Sequence, residues 1–201
     1  MHRLVFGLLA AGILIVLTGC GTSPTSTFYS LKPISPPEQV TPAPKKEISL
    51  RINRFVFPDY LDRPSIVTRS DGDRIQIAEF HRWAGSLSSE FHRVLGADLG
   101  VLLNTPRISV YPGDATFHAD FHISGNVVAF DGTLNRDVRL DVYWSVSDQT
   151  RRQVLAVRHS VVTVPVADQG YDALVAAYGR ALEQLSTQMQ TVLLDLPRKT
   201  P

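Results

Sequence analysis

The side chain best suited to covalent chemistry occurs once in this chain. Cys20 is the only cysteine among 201 residues, and it closes the run Leu17-Thr18-Gly19-Cys20. A basic start (His2, Arg3), an apolar stretch from Leu4 to Leu17 and small residues before a thiol follow the order of a secretory signal peptide ending in a lipobox. The expected chemistry is cleavage before Cys20 and acylation of its sulfur. The apolar stretch is too short to span a bilayer, which takes about 20 such residues. Acyl chains would then be the anchor, each buried methylene adding about 0.8 kcal/mol of membrane affinity. With Cys20 acylated, no thiol remains for disulfides, nucleophilic catalysis or cysteine-type zinc sites.

Two further constellations have the right residue types for chemistry. His118-x-Asp120-x-His122 carries metal-ligating groups. On a strand, however, positions 118 and 122 stand about 13 Å apart, too far to share one ion. Their alternation with Phe117, Ala119 and Phe121 predicts the solvated face of a sheet, with the aromatic and alanine side chains turned inward. Ser86, Ser88 and Ser89 lie near His81 and His92 and are the local choice for a nucleophile with its base. Serines at that place read as the cap and first turn of a helix. The sequence has no Gly-x-Ser-x-Gly elbow, phosphate loop, His-Glu-x-x-His pair or dinucleotide fingerprint. The expectation is a protein that is not an enzyme and carries no cofactor and no metal.

A different kind of chemistry, recognition, is written into three stretches. Pro58 to Pro64 encloses Tyr60, Leu61, Asp62 and Arg63. Arg69 ends the run after it, and Arg82-Trp83 precedes the first helical segment. Tyr, Trp and Arg dominate binding hot spots, so these residues are candidates for a protein interface. The structural alternative is that Tyr60 and Trp83 cover the end of a sheet while Asp62 and Arg63 bond loop backbone.

The elements that must hold these residues follow from periodicity. Residues 20–46 read as a lipidated cysteine and tether, with Pro33, Pro36, Pro37, Pro42 and Pro44 favouring extended polyproline II. Lys32 to Lys46 would reach roughly 45 Å at about 3.1 Å per residue. Thr27-Phe28-Tyr29-Ser30-Leu31 is too apolar for a pure linker and is either a docked edge strand or a partner-binding segment. A single domain is expected over 47–196, followed by a tail at 197–201. Ile48, Leu50 and Ile52 alternate, and the apolar phase shifts to Phe55 and Phe57, predicting a strand with a bulge at Asn53-Arg54. Ser65–Arg69 and Arg74–Ala78 flank Asp71-Gly72 as a hairpin. Leu87, Phe91, Val94, Leu95, Leu99 and Leu102 share a helical face, with Ser88, Glu90, Arg93 and Asp98 away from its centre. Asn104-Thr105-Pro106 ends that helix. Strands are expected over 107–111, 116–130, 137–147 and 153–166, with a turn beginning at Asp131-Gly132. A last helix spans about 172–194, with Leu174, Tyr178, Ala181, Leu185, Met189 and Val192 as its buried stripe. Strands grouped this way predict an α+β fold: a largely antiparallel or mixed sheet with two amphipathic helices on one face.

Charge narrows the partners. The chain has 20 Lys+Arg and 19 Asp+Glu, and residues 1–19 contain Arg3 and no acid. The mature chain is therefore formally neutral. Nucleic acid is excluded as a partner by the lack of a basic face, and electrostatic lipid binding by the lack of a polybasic tract. At 44% hydrophobic residues the domain can build a core without disulfides.

Taken in order, the lipobox, Phe28-Tyr29-x-Leu31, Tyr60-Leu61-Asp62-Arg63-Pro64, Ile66-Val67-Thr68-Arg69, Arg82-Trp83…Leu87 and Arg107…Val110-Tyr111-Pro112 resemble the ABC-type transport auxiliary lipoproteins. The resemblance implies a periplasm-facing lipoprotein of Gram-negative bacteria. It implies operation with an MCE-domain protein in lipid transport between membranes, and no catalytic residues. Gly21 after the cysteine, in place of aspartate, fits sorting to the outer membrane. A tubular partner is multimeric, so a homo-oligomeric ring of this protein is the matching expectation. The alternatives are a periplasmic lipid carrier, which needs an apolar cavity, and a periplasmic hydrolase, which needs a buried nucleophile bonded to a histidine.

Overall fold

A computed structural model of the chain describes residues 24–36, 48–70, 74–114, 116–150 and 153–197. Cys20 with its signal segment, most of the proline-rich stretch, the Asp71-Gly72 turn and the end of the C-terminal tail lie outside the described residues. Eight strands form one mixed sheet: β1 (Thr27–Tyr29), β2 (Leu50–Val56), β3 (Ser65–Arg69), β4 (Ile75–Trp83), β5 (Ile108–Val110), β6 (Phe121–Thr133), β7 (Asp137–Asp148) and β8 (Val154–Pro165). Two long helices, α1 (Leu87–Leu102) and α2 (Tyr171–Asp195), pack on one face of it.

The long antiparallel ladder β6–β7–β8 is the backbone of the sheet. β2 lies parallel to β6 on its other side over residues 121–126, and β3 meets β6 at Thr68 and Gly132. The predicted bulge is present: the β2–β6 register slips between Ile52 and Phe55. α1 lies over β2 and β5, while α2 covers β6, β7 and β8. Between the layers, Phe55, Phe91, Phe130, Leu140, Val142, Trp144 and Tyr178 are all at most 2% exposed. Trp144 gives its indole N–H to the Ser160 hydroxyl at 3.0 Å, so burial costs it no hydrogen bond. The α2 stripe is buried from Leu174 to Met189, and Val192 is half-buried.

Helix starts and stops follow local chemistry. Ser86 caps α1 reciprocally with Ser89: each side chain accepts the other's backbone N–H. Asn104 stops the helix by taking φ 50°, a left-handed conformation that asparagine tolerates better than most residues.

Several sequence expectations shift. The strand expected over Arg74–Ala78 runs on to Trp83 as β4, and the polar Glu79, His81 and Arg82 hide that continuity. Asp131 and Gly132 belong to β6. The turn is Leu134–Arg136, where Asn135 takes φ 62°. Gly132 serves close packing, since a Cβ there would sit 2.7 Å from Leu174. Residues 116–120 lie outside β6, which begins at Phe121. His122, expected on a wet face, is 4% exposed because β6 is an inner strand there, flanked by Arg51 of β2 and Ser147 of β7.

Candidate functional site

The three recognition stretches do come together, although much of their chemistry is spent on each other. Pro58 leads into a short 3-10 turn, Asp59–Leu61, which turns Tyr60 toward β6. The Tyr60 hydroxyl donates to Asp131 Oδ2. Arg69 grips the same carboxylate with two bonds, Nε to Oδ1 at 2.7 Å and Nη2 to Oδ2 at 3.0 Å. Two parallel N–H···O bonds give the pair geometric specificity as well as energy. The Asp131 side chain is 2% exposed, that of Arg69 35%. Burial and then the Asp131 carboxylate push the Tyr60 phenol up to about 12. The hydrogen bond to Asp131 holds the Arg69 guanidinium more firmly in its charged form.

The remaining candidates divide by exposure. Leu61 and Trp83 are 3% exposed and belong to the core, where the Trp83 ring meets Tyr178 edge-on. Arg63 donates its Nε to the Tyr60 carbonyl at 2.8 Å. Asp62 is exposed and Arg82 half-buried, its Nε without a hydrogen-bond partner among the described residues. Of the candidates, Asp62, Arg63 and Arg82 are thus neither enclosed in the core nor bonded to Asp131.

The metal and catalytic constellations do not assemble. His118 is exposed, His122 is enclosed in β6, and Asp120 is engaged by the Ser49 N–H and hydroxyl. Ser86 and Ser89 are absorbed by the helix cap. His81 stacks on Tyr171 at 3.8 Å and bonds the Tyr29 hydroxyl. His92 is fixed as a neutral tautomer. Its Nδ1 donates to the Ser88 carbonyl at 2.6 Å, and its Nε2 accepts the Phe55 N–H at 2.9 Å, at the bulge in β2. Burial, the largest influence, holds that imidazole below its ordinary range.

Two acidic residues of α1 have a role that the periodicity did not disclose. Glu90 accepts the Leu31 N–H and the Ser30 hydroxyl, both at 2.8 Å, and Asp98 accepts the Ile34 N–H at 2.8 Å. Arg93 closes over the same segment by donating to the Leu31 carbonyl. Burial alone would raise the Glu90 carboxyl, but the bonds from Arg93, Ser30 and Leu31 outweigh it and hold the group below the usual range. At Asp98 burial prevails and the carboxyl is raised. The sequence hint was faint: Glu90 and Asp98 stand one helical turn before and after Val94, a member of the apolar stripe.

The structure is thus a sheet covered on one face by two helices, with Tyr60, Arg69 and Asp131 bonded to one another. Residues 29–190 match the ABC-type transport auxiliary lipoprotein component family, and the chain belongs to it. It is therefore a lipoprotein that assists an ABC-type transporter, a non-catalytic role. Among solved structures, protein XCC0632 from Xanthomonas campestris is 17% identical, covering 84% of this chain and 95% of its own, with a TM-score of 0.69. The crystal structure of an uncharacterized protein is 20% identical, covering 85% of this chain and 99% of its own, with a TM-score of 0.68. At these identities the likeness is one of fold. No curated protein sequence matches.

Proposed function

We propose that this lipoprotein is anchored in the outer membrane through acylated Cys20, faces the periplasm, and docks on an MCE-domain protein of an intermembrane lipid-transport system. Asp62, Arg63 and Arg82 supply polar contacts to that partner or to neighbouring copies in a ring. The observation that supports docking over carrying is the filled layer between sheet and helices, where the large side chains from Phe55 to Tyr178 interlock. A carrier would need that space for acyl chains. Two pockets among the described residues are surface depressions of about 390 and 250 Å³, lined by residues such as Arg180 and Glu183, and Arg69 and Arg136.

Two measurements test the proposal. Cys20→Ser should release the protein from the membrane fraction, and a variant that stays fully membrane-bound refutes the anchor. Arg63→Ala and Asp62→Ala should weaken association with the MCE-domain protein, or self-association, by about 1 kcal/mol or more with little change in melting temperature. Unchanged association in both variants removes this loop from the interface.

A further inference from the structure

Of the segment between Cys20 and the domain core, residues 27–34 are held against the domain. β1 pairs in parallel with the edge of β4, Thr27 opposite His81 and Tyr29 opposite Trp83. The Tyr29 carbonyl accepts the Ala84 N–H at 2.7 Å, and Leu31 is 2% exposed. The chain then lies across both helices. The Leu31 and Ile34 amides meet Glu90 and Asp98 of α1, and the Lys32 carbonyl approaches Gly179 of α2 closely, 3.7 Å from where a Cβ would stand. Asp98 is tied to α2 through the Ser186 hydroxyl at 3.2 Å. The spacing is matched. Eight helical residues separate the two carboxylates by about 12 Å, and three extended residues separate the two amides by about 10 Å. This is a built seat: two carboxylates in α1, 8% and 1% exposed as residues, each receiving a backbone N–H of residues 30–34.

We infer that this clamped segment, and not the proline-rich stretch after it, sets the distance between the domain and its membrane. The inference rests on acylation of Cys20, as proposed above. Thr27 is only seven residue steps from Cys20, a reach of about 25 Å even when fully extended. Residues 37–47 join two points already fixed to the domain, Ile34 and Ile48, so their length adds nothing to the leash. The edge of the sheet carrying β1 and β4 is therefore held close to the leaflet that receives the acyl chains. Any partner must come to the domain within that layer.

The test uses the acylated full chain in phosphatidylethanolamine/phosphatidylglycerol vesicles. A donor dye is placed on Glu79→Cys and acceptors on the lipid headgroups, Cys20 being occupied by its acyl group. Twelve Gly/Ser residues are inserted either after Ser23 or after Pro42. The first insertion raises the reach by about 40 Å and should cause a loss of energy transfer. The second should leave transfer unchanged until Glu90→Ala/Asp98→Ala opens the clamp, after which it too should cause a loss. Equal losses from both insertions in the otherwise unaltered protein, or no loss from the first, overturn the inference. Mass spectrometry of the N-terminal peptide keeps the two ideas separable: an unacylated Cys20 brings down the anchor and the 25 Å limit with it. Hydrogen exchange at Leu31 and Ile34 reads the clamp alone, and fast exchange there overturns it.

Discussion

Removing either partner of the Arg69–Asp131 pair should destabilise the domain, but by unequal amounts, and the inequality follows from exposure. Breaking a buried ion pair costs about 3–5 kcal/mol, because one charge is left without its partner. In Asp131→Ala the charge left behind is a guanidinium whose side chain is already 35% exposed and can take up water. The cost should fall below that range, to about 2–3 kcal/mol. In Arg69→Ala the charge left behind is a carboxylate whose side chain is 2% exposed and keeps only the Tyr60 hydroxyl of its three bonds from these two side chains. Here the full range of about 3–5 kcal/mol should apply. The double variant should cost less than the two single costs added, by about 2 kcal/mol or more, since it leaves neither charge stranded. Urea unfolding followed by tryptophan fluorescence is a suitable assay, because Trp83 and Trp144 are 3% and 2% exposed and report loss of the core. An Arg69→Ala cost no greater than that of Asp131→Ala, or strict additivity in the double variant, would refute the reasoning.

Trp144→Ala should cost about 3–5 kcal/mol, measured by the same unfolding curves, since it empties a core site and leaves the Ser160 hydroxyl without its indole donor. Gly125→Ala should cost about 1–3 kcal/mol, because its Cβ would stand 2.4 Å from the Phe55 ring and 2.5 Å from the Tyr143 carbonyl; a neutral melting temperature would contradict that packing. Stability should also depend on pH through His92. Its folded imidazole resists protonation while the unfolded one takes a proton near pH 6.5, so its contribution is complete above about 6.5 and is lost as pH falls through the lowered folded value. Glu90 acts in the same direction, but its loss begins only below its unfolded value of 4.5. Unfolding curves between pH 7 and 5 should therefore show a decline that flattens in His92→Leu, and parallel pH profiles would count against the assignment.

The two helices could be read in advance because each has an apolar stripe that no other period explains, and Ser86 and Asn104 mark the ends of α1 by their own chemistry. The bulge in β2 was legible as a slip in alternation between Ile52 and Phe55. What escaped detection depends on partners distant in sequence. The purpose of Tyr60 and Arg69 is Asp131, 71 and 62 positions further on, and Asp131-Gly132 looked locally like a turn. Glu90 and Asp98 resemble ordinary flanking acids until the chain 59 and 64 positions before them is laid across the helix. Periodicity reports which way a residue faces, but not what arrives to meet it.

The clamp also imposes an order of events. A chain is made from its N-terminus, so Thr27 to Ile34 emerge before nearly all the structure that receives them. β1 needs β4, some 54 positions later, and Lys32 settles beside Gly179, in the last helix of the chain. Contacts so far apart in sequence form slowly, because long loops must close before any gain is returned. The earliest-made part of the domain is thus among the last to be fully seated: its amides at Leu31 and Ile34 wait for Glu90 and Asp98, 59 and 64 positions later, and Lys32 waits for the last helix.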